Sequence, residues 1–203
     1  IPVVYEWVHI KGKGAMSSSK GITFTIRDWL EIAEPEILRY LILRSKLDKH
    51  VEFDPSLGLI DTYEKYDNLE RSYFENMLED ERLRKVYELS QIKLAKEYKL
   101  KISYKYAVLL CQIFPDINFA LKRAEEILLR DSKYKDFDFE KSKLRLQLAR
   151  NWVEKYAPDR LKFKIELKLP EGISEEEKEI LRKLGNCLHG KRTPQEIQNT
   201  FYE

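Results

Sequence analysis

The pattern of apolar and polar positions divides the chain into a short β-like opening and a long helical remainder. Val3-Val4-Tyr5-Glu6-Trp7-Val8-His9-Ile10 is rich in strand formers and reads as a strand. Lys11 to Gly21 breaks the pattern: Gly12, Gly14 and Gly21 bracket three serines, the signature of a loop. Ile22-Thr23-Phe24-Thr25 has the character of a second short strand, and Thr25 suits the cap of a short helix through Trp29-Leu30. Glu34-Pro35 restarts the chain, with Pro35 at the first helical position. The helix from Pro35 to about Ser45 carries Ile37, Leu38, Tyr40, Leu41, Ile42 and Leu43, apolar nearly all round, which predicts a central place. His50 to Asp54 reads as an extended link.

From there the period is helical. Pro55 or Ser56 opens a helix to about Asn76, in which Ile60, Tyr63, Tyr66, Leu69, Tyr73 and Met77 step by threes and fours. Further helices are predicted from Asp80 or Glu81 to about Lys96, Tyr104 to Phe114, Asp116 to Arg130, and Asp138 to Tyr156. The Asp116 helix shows Ile117, Leu121, Ala124 and Leu128 on one face; the Asp138 helix shows Leu144, Leu148, Trp152 and Tyr156. Leu161 to Lys168 alternates apolar and charged, which fits a strand or an extended linker. Ser174-x-x-Glu177 opens a last complete helix to His189 with a capping box, and Thr193-Pro194-Gln195-Glu196 starts another. The expected fold is mainly α: a β-and-loop segment over residues 1–55, then a helical bundle or cage over residues 56–203.

Composition narrows the class. The 43% apolar share excludes a wholly disordered chain, and the 35% charged share excludes an integral membrane protein. No apolar run reaches the length of a membrane span. Cys111 and Cys187 match no metal or redox spacing, which points to a reducing cytoplasm and to no metal site. A formal charge of +2 from 37 basic and 35 acidic residues does not announce a nucleic-acid binder, so local charge must decide. The run Arg82, Arg84, Lys85, Lys93, Lys96, Lys99, Lys101 and Lys105 is either a solvated helix face or a track for RNA phosphates. Lys133, Lys135, Lys141, Lys143 and Arg145 form a second such set. Tyr63, Tyr66 and Tyr73 are expected in the core, as are Trp152 and Tyr156, and Cys187-x-His189 is expected to be structural.

Only the segment from Gly12 to Gly21 asks for chemistry. Glycines let backbone N–H groups approach a phosphate, serines add hydroxyl donors and lysines add charge. It is not a Walker A loop, because Ser19 or Ser17 stands where the second glycine is required. The order Met16-Ser17-Ser18-Ser19-Lys20-Gly21 resembles the KMSKS loop of class I aminoacyl-tRNA synthetases in its KMSSSKG form. The flanking Tyr5-Glu6-Trp7, Trp29 to Tyr40, Arg44-Ser45-Lys46 and Phe53 to Leu59 are similar to class I lysyl-tRNA synthetase, specifically through about Arg71. Ala15 replaces the usual leading lysine of the signature and Ser18 its second lysine, leaving Lys20 as the main cation, with Lys13 or Lys11 as alternatives. His9-Ile10-Lys11-Gly12 is not a HIGH motif, since its second histidine is missing; His9 reads as structural or surface.

What the resemblance implies is a lysine–tRNA ligase that activates lysine with ATP and passes it to tRNA(Lys). The ATP would come with Mg2+. Lys20 would act in catalysis, and Ala15, Met16, Ser17, Ser18, Ser19 and Lys20 would hold the ATP phosphates. The chain would be a piece of that enzyme, inactive by itself and binding no cofactor alone, cytoplasmic, and monomeric by default. Two rivals stay open: another class I synthetase of the tyrosyl type, and a stand-alone RNA-binding module without catalysis.

Overall fold

The computed structural model describes residues 8–11, 14–15, 24–46, 49–130, 132–166 and 172–188. The chain forms two compact units, Ile1–Lys164 and Ile165–Glu203.

The first unit begins with a three-stranded sheet. Its middle strand β1 (Val8–Ile10) pairs antiparallel with β2 (Gly14–Ala15) and parallel with β3 (Val51–Phe53). Ile10 faces Gly14 on one side and Phe53 on the other. Gly14 and Ala15, expected in a loop, thus belong to a strand. The link at residues 50–54 contains the strand β3, in which Val51 and Phe53 alternate with exposed Glu52 and so bury one face. Phe24 and Thr25, expected in a strand, lie in none.

Eight α-helices follow among the described residues. α1 (Ile26–Ile32) starts with a capping box: the Asp28 amide donates to the Thr25 hydroxyl, and the Thr25 amide to the Asp28 carboxylate. The Thr25 hydroxyl also donates to the Asp28 carboxylate at 2.7 Å, and this bond, with the one from the Thr25 amide, holds the Asp28 pKa below its ordinary value. α2 (Pro35–Arg44) buries Ile37, Tyr40 and Leu41 against α3 and α4. Its other face is open: Ile42 is 49% exposed and Leu43 37%, so the helix is not central all round, as its composition suggested.

α3 (Leu57–Phe74) is initiated by Asp54, whose carboxylate accepts from the Ser56 and Gly58 amides at 2.9 and 3.0 Å. This cap sits so close that a Cβ at Gly58 would lie 2.5 Å from the Asp54 Cβ. Gly58→Ala is therefore expected to destabilise the chain by about 1–3 kcal/mol, the cost of forcing atoms into a packed site. Urea unfolding measures it, and Gly58→Ala at wild-type stability would mean that the cap gives way freely.

α4 (Glu81–Ser90) is capped by Asp80 and stops six residues short of the predicted Lys96. α5 (Tyr104–Ile113), α6 (Ile117–Arg130) and α7 (Phe139–Lys155) fall close to their predicted bounds. α7 packs on α5, α1 and α6 and is the spine of the unit. Its buried face runs through Ser142, Arg145, Leu146, Ala149 and Trp152, while Leu144 is 39% exposed, a shift from the predicted stripe.

The core is aromatic. Tyr63, Tyr66 and Trp152 are buried as expected, while Tyr73 and Tyr156 are partly buried against the core. Tyr63 stacks on Tyr104 at 4.1 Å and 10°. Buried hydroxyls and indoles need partners: Tyr104 donates to the Ile32 carbonyl at 2.7 Å, and the Trp152 indole to that of Pro55, also at 2.7 Å. Burial raises the Tyr63 and Tyr104 pKa values above the ordinary phenol range.

The 3-10 turn Asp159–Leu161 ends the helical body, and residues 162–166 form no strand. In the second unit α8 (Glu175–Leu188) carries the predicted capping box, with Ser174 and Glu177 exchanging bonds of 2.8 and 3.2 Å. The helix start at Thr193 lies outside the described residues.

Candidate functional site

The residues that flank the serine-rich run are fixed on both sides. On the incoming side, Ala15 is paired with His9 in the β1–β2 ladder. Past β1, the Lys11 amide donates to the Phe53 carbonyl at 2.8 Å, extending the contact with β3. The His9 ring stacks on His50 at 4.4 Å and 20°, a second tie, between β1 and the residue before β3. On the outgoing side, Phe24 packs on Phe53 at 5.1 Å and on Tyr156 at 5.7 Å, and Trp29 packs on Phe53 at 4.8 Å. Phe53 thus receives both ends: its carbonyl takes the chain before the loop and its ring the chain after it. The Thr25 capping box then fixes the direction in which α1 leaves.

This frame is what the sequence reading missed. Nothing in the hydrophobic pattern told that His50 meets His9, or that Phe53 joins the two ends, since both contacts depend on a parallel pairing of strands far apart in sequence. Of the predicted phosphate ligands, Ala15 is placed at the end of β2. Met16, Ser17, Ser18, Ser19 and Lys20 lie outside the described residues, as does Lys13. Lys11 is exposed at the turn after β1.

The two basic sets are sorted by the fold. Arg145, expected as a possible phosphate ligand, is fully buried and structural. Its guanidinium bonds both Asp67 oxygens at 2.7 and 2.8 Å and reaches Glu34 at 3.3 Å. Lys101 is also withdrawn, with its side chain 7% exposed and its ammonium 2.5 Å from Glu70. Lys85 pairs with Glu88, Lys133 with Glu75 and Lys141 with Glu36. The Lys85 pair raises the lysine pKa, and the Lys133 bond, with one from Tyr134, lowers that of Glu75. Arg82 donates to the Arg44 carbonyl, tying α4 to the end of α2. Because α4 ends at Ser90, Lys93, Lys96 and Lys99 do not continue its face. They lie exposed on an irregular segment, with no ion pair or hydrogen bond among the described residues.

Among the described residues no group of three or more His, Cys, Asp or Glu side chains is placed to hold a metal ion. His189 and the Cys187 side chain lie outside the description. No described helix is long and apolar enough to cross a membrane.

Comparison with known proteins assigns this frame to a class. Residues 1–93, which include the serine-rich run, β1 to β3 and α1 to α4, match the family described as tRNA synthetases class I (K). The whole chain aligns at 37% identity with the lysine–tRNA ligase of Archaeoglobus fulgidus, covering 100% of this chain and 38% of that protein. It aligns at 36% with that of Methanopyrus kandleri, covering 100% and 39%, and at 41% with that of Methanocaldococcus jannaschii, covering 76% and 32%. The chain thus spans about two fifths of the length of the first two relatives. Along its whole length it is similar to the class I lysyl-tRNA synthetases.

Proposed function

We propose that this chain is the part of a lysine–tRNA ligase that carries the phosphate-binding loop and helices that contact tRNA. The likeness to lysine–tRNA ligases along all 203 residues carries the reading, because it joins the loop and the helical body in one protein. The intact enzyme would join lysine to AMP from ATP, releasing pyrophosphate, and then transfer lysyl to tRNA(Lys).

In this scheme Lys20 is the cation that stabilises charge as pyrophosphate leaves. Ser17, Ser18, Ser19 and the backbone from Ala15 donate hydrogen bonds to the ATP phosphates, and Met16 packs to anchor the loop. The frame gives this work a physical basis. Donors aimed at developing charge are effective only when held in place before reaction, and the Phe53 and Thr25 contacts fix both ends of the loop. Mg2+ belongs with the ATP phosphates here; the described residues hold no cluster of ligating side chains for it. The enzyme is expected in the cytoplasm, as a monomer.

Lysine-dependent ATP–pyrophosphate exchange tests the proposal. The intact protein is expected to exchange and to charge tRNA(Lys), whereas the 203-residue chain alone is expected to do neither. A loop that stabilises a leaving group needs the site that holds both reactants. Exchange driven by tyrosine instead of lysine would favour a tyrosyl enzyme, and tRNA binding by an intact protein without exchange would favour a binding module.

A further inference from the structure

The segment that the sequence assigned to the end of α4 instead forms one wall of a cavity of about 480 Å³. The opposite wall is residues 137–141 at the start of α7, and Tyr87 and Glu70 contribute to its lining from α4 and α3. Its volume is in the range of small-molecule sites. The walls are fixed to each other: the Leu100 amide donates to the Asp136 carbonyl at 2.9 Å, and the Asp138 amide to that of Leu100 at 2.7 Å. The Gln91 side-chain Nε2, which donates to the Tyr66 hydroxyl at 2.9 Å, fixes the start of the segment.

The lining has two kinds of free group. Lys93, Lys96 and Lys99 are exposed and without an ion pair or hydrogen bond among the described residues. The other lysines of the lining are engaged, Lys101 by Glu70 and Lys141 by Glu36. Of the acids, Asp138 is committed to capping α7 through the Lys141 amide, which leaves Glu97 and Glu140 against the three free lysines. The second free group is Phe139, 44% exposed, its ring held edge-on at 5.0 Å from Phe137. An exposed aromatic ring in a concave site beside uncommitted ammonium groups fits a ligand that is both flat and anionic. A paired base cannot enter such a recess, whereas an unpaired one can be turned out of its strand and stacked on an aromatic side chain.

We propose that this cavity is a subsite for one unpaired nucleotide of an RNA, with its flanking phosphates on Lys93, Lys96 and Lys99 and its base against Phe139. The inference rests on the tRNA-binding reading above and assigns that reading a place.

The test is fluorescence anisotropy with the 203-residue chain at two salt concentrations. The probes are a tRNA(Lys) transcript, a fully paired RNA duplex and AMP as competitor. Replacing Lys93, Lys96 and Lys99 together with Gln is expected to weaken both RNAs. It should flatten the log–log salt dependence for the tRNA by about 2, at roughly 0.7 per phosphate contact on a single strand. Phe139→Ala is expected to weaken the tRNA about tenfold and leave the duplex unchanged, the effect of losing one stacked base, and Phe139→Tyr to retain binding. Thermal melting checks that each variant is folded. If tRNA binds but neither the lysine nor the Phe139 variants change it, the subsite is wrong and the tRNA reading stands. An effect of the lysines without one of Phe139 means a phosphate patch only and overturns the base subsite. Competition by AMP at micromolar concentration would make the ligand a free nucleotide and overturn the RNA assignment. No binding of tRNA by the wild-type chain would overturn the subsite together with the tRNA contact it rests on.

Discussion

Arg145→Met is expected to destabilise the folded chain by about 3–5 kcal/mol, the cost of breaking a buried ion pair from one side. Arg145 is fully buried and joins four parts of the fold. It reaches from α7 to Asp67 on α3 through two parallel bonds of 2.7 and 2.8 Å. It contacts Glu34 before α2 at 3.3 Å, donates to the Ile102 carbonyl at 2.9 Å, and lies 5.1 Å from the Tyr63 ring centroid. Burial alone opposes its charge, yet Asp67 and Glu34 hold its pKa well above the usual arginine value. Methionine fills much of the same space but leaves two carboxylates without their cation. Glu34, 2% exposed and with one oxygen already lacking a hydrogen-bond partner, would bear most of the cost. Adding Glu34→Gln and Asp67→Asn to the variant should recover a large part of the loss. Urea denaturation of the single and triple variants measures both. A loss under 1 kcal/mol for Arg145→Met alone would show that the network serves no more than packing.

That residue also shows where sequence reading stops. The spacing of Lys141, Lys143 and Arg145 placed all three among possible phosphate ligands. Charge says nothing about which side of α7 faces inward, and the buried stripe proved to include Arg145 while Leu144 lies outside it. The information was in Glu34 and Asp67, distant in sequence, whose carboxylates make the burial possible. α4 failed for a similar reason. Gln91 to Lys96 has good helix formers and no Gly or Pro, so propensity extended the helix. In the fold, Gln91 is held by Tyr66 and the Tyr87 carbonyl in an extended conformation, and the chain turns toward residues 136–138. Where start signals were local they were legible. Thr25, Asp80, Asp138 and Ser174 each cap the helix they were expected to open or border. The residue types of the serine-rich run were legible in order, and with them the resemblance to a KMSKS loop. The frame around that run was not, because it depends on β3 pairing in parallel with β1, a contact that no period in the sequence encodes.

Lys20→Ala in the intact enzyme is expected to slow adenylate formation by about 10²–10³-fold with little change in lysine affinity. The size follows if its ammonium behaves as one preorganised donor to transition-state charge, worth roughly 2.7–4 kcal/mol. The separation of rate from affinity follows from timing. Charge on the departing pyrophosphate grows after lysine and ATP are both bound, so a group aimed at it contributes little to the ground state. The choice of Lys20 rests on the order of residues around it. Ala15 and Ser18 occupy the positions where a KMSKS loop carries its lysines, so a cation for that task must come from a neighbour. Lys20 lies between the serines and the anchored Phe24, whereas Lys11 precedes β2 and has its amide committed to Phe53. Pre-steady-state adenylation of Lys20→Ala, Lys13→Ala and Lys11→Ala variants compares the three directly. If Lys13→Ala collapses the rate while Lys20→Ala leaves it unchanged, the cation sits on the other side of β2. The phosphates would then approach the hairpin itself, next to the backbone of Gly14 and Ala15, instead of the serine run.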